Sequence, residues 1–144
     1  MKKITYKKAS LKDKEQIYNI LSALEEVQLD KREFNKIFTT NISDSNIHYL
    51  VAVEGSLIIG FASLHIQKLL HHVGNIAELQ EIYVLPSLRG QGIGAKMLAK
   101  LKSIAKQNHC KNLEVSCNIT RKKTHKFYIR EGLKKTHFKF VEQL

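Results

Sequence analysis

Val84-Leu85-Pro86-Ser87-Leu88-Arg89-Gly90-Gln91-Gly92-Ile93-Gly94-Ala95 is the stretch on which the reading of this chain turns. It leaves a long strand over Ile76–Leu85 and enters a segment where Met97, Leu98, Leu101, Ile104 and Ala105 recur at helical spacing. It therefore joins a strand to an amphipathic helix. A helix start carries unpaired N–H groups and a partial positive charge, which suits phosphate. Glycines at 90, 92 and 94 remove side chains that would hold a phosphate off that backbone. The spacing lacks the Gly-Lys-Ser/Thr ending of a P-loop. Gly90, Gly92 and Ala95 fit a loose dinucleotide fingerprint, but no first strand with an acidic partner about 20 residues on supports it. Glycines alone fit a plain tight turn equally well.

Working outward, Ile4–Lys7 reads as a first strand, and Ser10 with Asp13 as a capping pair. Ile17, Ile20, Leu21 and Leu24 mark an amphipathic helix, and Phe34, Ile37 and Phe38 a second, near Asp30–Thr40. The period then changes. His48–Val53, the turn Glu54-Gly55-Ser56 and Leu57–Ile66 make a hairpin. Lys68–Asn75 is a histidine-bearing loop or strand end before the strand Ile76–Leu85. After the long helix come a strand over Leu113–Cys117, a helix around Thr120–Glu131 stopped by Gly132, and strand character over Leu133–Val141. Hairpins followed by strand–helix–strand predict an α/β fold with a mixed, mostly antiparallel sheet and helices on both faces.

With no linker, repeat or low-complexity segment, all 144 residues are expected to form a single domain. No apolar run approaches the roughly 18–20 residues of a membrane span. The opening Met-Lys-Lys-Ile-Thr-Tyr-Lys-Lys lacks the apolar core of a leader. Cys110 and Cys117 fit neither a disulfide framework nor a zinc site. A cytoplasmic protein with two thiols is the expectation. The formal charge of +11 fits a lysine-rich surface, a polyanionic ligand or nucleic acid. Against nucleic acid, the aromatics occupy apolar periodic positions, and no helix-turn-helix or RNP-like segment is present.

Arg89-Gly90-Gln91-Gly92-Ile93-Gly94, with Asn118 and Phe127-Tyr128-Ile129-Arg130-Glu131-Gly132 downstream, resembles the GCN5-related N-acetyltransferase (GNAT) family. The order and length of the elements are similar over the whole chain. The resemblance implies acetyl-CoA as cosubstrate. Its pyrophosphate would sit on the backbone of Gly90, Gln91, Gly92, Ile93, Gly94 and Ala95, with Arg89 adding charge. Its pantetheine arm would pair with Ile82, Tyr83 and Val84, where an exposed strand edge offers N–H and C=O groups. Asn118 would be a further contact. Many members place an asparagine six residues before the phenylalanine, where this chain has Arg121; Asn118 lies nine before Phe127.

Acetyl transfer requires the amine to lose a proton and favours a donor for the departing thiolate. Glu81 is the base candidate, beside the expected thioester position; its plainer reading is a solvent-facing carboxylate, and Glu78 competes with it. Strand alternation sets Glu78 and Glu81 on opposite faces unless a bulge intervenes. Tyr128 is the acid candidate, or else a core aromatic beside Phe127. A backbone N–H near Tyr83 would polarise the carbonyl.

A finer resemblance runs through Leu64-His65-Ile66-Gln67, His71-His72-Val73, Glu78-Leu79-Gln80-Glu81, Phe127–Gly132 and Thr136-His137-Phe138-Lys139-Phe140. These segments resemble bacterial aminoalkylphosphonate N-acetyltransferases. They imply a small amine bearing an anionic phosphonate, with a divalent metal beside it. Adjacent His71 and His72 point to opposite sides of a strand and make a poor metal pair; histidines in a cleft wall or simply in solvent are the alternatives. Polyamines, aminoglycosides and protein lysines compete as acceptors. A non-catalytic CoA-binding module on the same fold is a further reading. C-terminal edge strands would admit a homodimer.

Overall fold

A computed structural model describes residues 3–144; Met1 and Lys2, the start of the segment read for a leader, lie outside the described residues. The chain divides into two compact units, one ending at Glu114 and one running Val115–Leu144. In the first unit the elements follow the order β1 (Ile4–Lys8), α1 (Lys14–Glu25), α2 (Lys31–Asn41), β2 (Ile47–Glu54), β3 (Leu57–Leu69), β4 (Gly74–Val84), α3 (Ile93–Gln107) and β5 (Cys110–Val115), whose last residue crosses the boundary. The second unit holds α4 (Lys122–Arg130). The sheet order is β1-β2-β3-β4-β5, and the pairs β1–β2, β2–β3 and β3–β4 are antiparallel.

Local chemistry explains the element ends. Ser10 N–H donates to the Asp13 carboxylate at 2.8 Å and its hydroxyl does so at 3.3 Å, which fixes the turn that launches α1. Asp30 caps α2 by accepting from Glu33 N–H at 2.9 Å. The β2–β3 turn passes through Gly55 at φ +65°, which a glycine adopts without strain.

One sheet face meets α1 and α2. Ile17, Ile20, Phe38, Tyr49, Val51 and Phe61 form its core, with Tyr83 and Leu85 packed against them. Rings run in contact from Tyr18 to Phe34 (centroids 5.2 Å), Phe38 (5.9 Å), Tyr49 (5.3 Å) and Phe61 (5.5 Å), tying helices to sheet. Such pairs add about 0.5–1.5 kcal/mol each beyond their buried area. Against the other face lies α3, whose Met97, Leu98, Leu101 and Ala105 are buried. Small residues let it approach: a Cβ on Gly60 would stand 2.9 Å from Met97 Sδ and 3.2 Å from Tyr83 O.

Two expectations change. The strand foreseen over Leu113–Cys117 lies earlier, at Cys110–Val115. Leu133–Val141 forms no strand, and Phe138, Phe140 and Val141 are exposed. Alternating apolar residues give a segment strand character, but only a neighbouring strand supplies the ladder. Among the described residues no helix is long and apolar enough to cross a membrane, and Cys110 and Cys117 are free thiols that burial pushes up in pKa.

Gly60→Val should cost about 1–3 kcal/mol through overpacking, read as a lower urea midpoint at unchanged slope. Gly55→Asn, where an added Cβ meets nothing within 4 Å and asparagine tolerates the left-handed conformation, should stay near the wild-type midpoint.

Candidate active site

The site is organised by an interruption in the β3–β4 ladder. Ser63 stands opposite Glu81 and Leu64 opposite Leu79, so Gln80 has no partner. This is a β-bulge. His65 stands opposite Glu78, and His65 and Ser63 share a face because they are two residues apart. The bulge the sequence left open therefore exists, and Glu78 and Glu81 lie on one face. It is the face of α1 and α2, since Tyr49 pairs with Ser63 and belongs to that core.

On that face a cavity of about 230 Å³ opens between helices and sheet. Leu21 and Glu25 line it from α1, Phe34, Ile37 and Phe38 from α2, and Tyr49, Phe61 and Glu81 from the sheet, with Leu29 between the helices. Glu81 is held from below: Ser63 O–H donates to its Oε1 at 2.7 Å, and Glu81 N–H donates to Ser63 Oγ at 3.3 Å. Asn41 Nδ2 donates to the Tyr49 hydroxyl at 3.0 Å. Burial pushes the Tyr49 phenol up in pKa; the Asn41 hydrogen bond opposes this and the charge of Glu81 adds to it. The lining carries two carboxylates and no basic side chain, so it favours a cation such as a primary ammonium.

None of the histidines expected in a cleft wall lines this cavity. His71 and His72 occupy a short 3-10 turn at the β3–β4 connection with rings 4.3 Å apart, and His72 Nε2 lies 3.7 Å from Glu114. The sequence reading passed over Ser63, Tyr49, Asn41 and Glu25. A lone serine inside the apolar run Ile58–Leu64 was the available signal for the first.

The glycine-rich turn starts α3. Gly92 is its N-cap at φ +83° and Gly90 has φ +81°; a Cβ on either would meet nothing within 4 Å. No side chain caps this end and no acidic residue occupies the first turn. The N–H groups of Ile93, Gly94 and Ala95 thus have no acceptor four residues back within the helix. Beside Gly92, Gln91 is exposed. Arg89 is anchored next to it: Nε donates to Val84 O at 2.9 Å, and its guanidinium lies 4.9 Å from the Tyr83 ring centre. Ile82, Tyr83 and Val84 close β4 opposite Ala62, Phe61 and Gly60. The turn, Arg89 and the end of β4 are thereby brought together, and the arrangement suits a pyrophosphate.

In the second unit Tyr128 is buried on α4, its ring 5.3 Å from that of Phe127. Burial first, then the charge of Cys117, pushes its phenol up to about 12, with Arg121 opposing. Asn118 folds a local turn: its Oδ1 accepts from Thr120 N–H at 2.9 Å and Thr120 O–H at 2.7 Å, and its carbonyl lies 2.7 Å from His125 Nε2, which must donate. Its amide oxygen is thus already engaged. Arg121 is the residue at the N-cap of α4.

The family model described as the acetyltransferase (GNAT) family matches residues 14–132. An aminoalkylphosphonate N-acetyltransferase from Salmonella typhimurium is 40% identical over 136 residues, covering 94% of this chain and 88% of the relative. The chain belongs to the GNAT family. It is an acetyl-CoA-dependent N-acetyltransferase of small amines. A glucosamine 6-phosphate N-acetyltransferase from Candida albicans is 24% identical, over 79% of this chain and 80% of its own. Likeness of fold extends to a transcriptional regulator from Bacillus halodurans C-125, with TM-score 0.91 at 22% identity, over 99% of this chain and 100% of that one. It extends also to an aminoglycoside N-acetyltransferase in complex with CoA, with TM-score 0.90 at 14% identity, over 100% and 96% of the two chains. The GNAT match spans both compact units of this chain.

Acetyl-CoA at 100 times its Kd should stabilise the wild-type fold by about 2.7 kcal/mol, on the order of a 5–10 °C rise in Tm. Gly92→Glu should abolish that rise, since it sets a carboxylate at the uncapped helix start. The open space around Gly92 leaves only conformational strain of about 1–2 kcal/mol as the cost to the apo fold.

Tyr128 also sets an alkaline stability limit. Its phenol ionises near 10.0 when unfolded and about 12 when folded, so between these values the unfolded chain binds fewer protons. The contribution is intact below pH 10 and is lost as pH rises toward 12. Melting curves from pH 9 upward should fall less steeply for Tyr128→Phe than for wild type, with a residual slope from Tyr49 and Tyr6, which burial also raises.

Proposed function

We propose that this GNAT enzyme acetylates a small primary amine carrying an anionic group, with aminoalkylphosphonates as the leading acceptor class. The observation that carries the reading is the cavity ending on Glu81. It is smaller than the roughly 300–1,000 Å³ of drug-sized sites, which favours a compact acceptor. Its acidic, aromatic lining suits an ammonium. The 40% identical Salmonella typhimurium relative, an aminoalkylphosphonate N-acetyltransferase, supports the acceptor class. The phosphonate end lies outside this lining, where the excess of 24 Lys and Arg over 13 Asp and Glu is available to it.

In this reading the pyrophosphate of acetyl-CoA rests on the start of α3 beside Arg89, and the pantetheine arm follows Ile82–Val84. Asn118 contributes to cosubstrate binding through the part of its amide not engaged by Thr120. Glu81 takes the ammonium proton, the nitrogen attacks the thioester carbon, and the C–S bond breaks as the C–N bond forms. The departing thiolate takes a proton from Tyr128, whose phenol stays protonated throughout the neutral range, and the second proton that the nitrogen sheds as the amide forms returns through water to the phenol. Among the described residues no three His, Cys, Asp or Glu side chains converge to hold a metal, so this set does not fit the divalent ion implied by the finer resemblance and no step uses one. The enzyme acts as one domain in the cytoplasm, a reading supported by its free thiols. The exposed Phe138, Phe140 and Val141 support a homodimer.

The acidic lining also favours a second class, polyamines, which are polycations. At saturating acetyl-CoA, kcat/KM for an aminoalkylphosphonate should exceed that for its amino-alcohol analogue by at least about tenfold, the worth of one charge-assisted contact. A polyamine as best substrate overturns the acceptor class and leaves the family intact. Glu81→Gln should lower kcat by about 10²–10⁴-fold with the acetyl-CoA melting shift retained. Tyr128→Phe should lower kcat with little change in Tm at neutral pH. Wild-type turnover in both variants would place the chemistry elsewhere.

A further inference from the structure

Among the described residues, tyrosines aside, only Asp13 and Ser63 are buried polar or charged side chains. Asp13 is accounted for by its bonds to Ser10. Ser63 is fully buried in a strand whose neighbours are Ala62 and Leu64, where an alanine would carry no desolvation cost. Its hydroxyl makes two bonds to one residue, donating to the Glu81 carboxylate at 2.7 Å and accepting from the Glu81 backbone N–H at 3.3 Å. Both fall at the bulge, where β4 departs from regular pairing.

We propose that Ser63 is the positioning residue of the reaction: it fixes the Glu81 carboxylate at the cavity. The backbone bond pins the strand at the bulge, and the side-chain bond selects the direction of the carboxylate. The inference rests on the reading of Glu81 as the base. Of the other titratable groups, Tyr49 on β2 and Glu25 on α1 line the cavity, while His65 on β3 and Glu78 and Tyr83 on β4 lie on the same sheet face outside its lining. The part of α2 that lines the cavity is apolar, Phe34, Ile37 and Phe38. Removing an uncharged hydroxyl leaves these groups in place, so a loss that alanine causes and threonine restores reports the Ser63 bond.

The test compares full-length Ser63→Ala, Ser63→Thr and Glu81→Gln with wild type in kcat and KM for the amine, with the acetyl-CoA melting shift as the check on folding. Ser63→Ala should lose roughly tenfold or more in kcat, the range for a hydrogen bond to a charged group, with KM little changed. Ser63→Thr, which keeps the hydroxyl, should return kcat to near its wild-type value even if its added methyl lowers Tm. An equal loss of kcat in Ser63→Ala and Ser63→Thr, or wild-type kcat in Ser63→Ala, alongside an impaired Glu81→Gln, would show that Ser63 only packs, and overturns the proposal. Wild-type turnover in Glu81→Gln removes the base reading itself and this inference with it.

Discussion

The unpaired Gln80 decides which face of the sheet Glu81 occupies. With an unbroken ladder, Leu64 opposite Leu79 would have put Ser63 opposite Gln80 and Ala62 opposite Glu81. Glu81 would then face α3, among Met97, Leu98 and Leu101, where an ionised carboxylate is costly to bury. One extra residue turns it to the side where α1 and α2 leave a cavity. The same shift sets Tyr83 opposite Phe61 on that face and Val84 opposite the bare backbone of Gly60. Arg89 is then anchored on these two residues, by Tyr83 through its ring and Val84 through its carbonyl. The direction of Glu81 and the anchoring of Arg89 thus depend on one local irregularity.

Charge is divided within the molecule in a way its total conceals. A net +11 reads as a preference for anions, yet the cavity wall carries Glu25 and Glu81 and no base. Steering acts over the whole field and screens within about 8–10 Å at ordinary salt. Recognition of the amine is set by the nearest groups. A basic exterior that draws in polyanionic acetyl-CoA is compatible with an acidic interior that receives an ammonium, because the two act at different ranges.

The elements were largely legible because each has a local cause. The α1 and α2 helices follow from apolar spacing and from Asp13 and Asp30 at their starts. Gly132, at φ +98°, stops α4 where the sequence placed the stop. The glycine turn was legible for the same reason: glycine is the residue for φ +81° and +83°. What escaped is non-local. Glu78-Leu79-Gln80-Glu81 contains no glycine to announce a bulge, and which residue is skipped depends on how β3 packs. Ser63 looked like an interruption of an apolar strand, since its meaning requires knowing what stands across the ladder. Leu133–Val141 shows the converse, an alternating pattern with no ladder in this structure.

The helix whose uncapped start suits a phosphate is also the one packed on β2, β3 and β4, and the two features constrain each other. Met97 and Leu101 are fully buried, so α3 cannot slide or tilt without opening voids, and close-packed interiors resist that. Gly60 lets the helix settle at this depth, because a side chain there would meet Met97 and the carbonyl of Tyr83. That carbonyl belongs to the strand that carries Glu81. The depth of α3 on the sheet therefore sets the spacing between its uncapped N–H groups and the end of β4. Acetyl transfer needs the thioester carbon placed against the base to within a fraction of an ångström. In this fold that tolerance is borne by core packing, and the turn itself can remain open and polar.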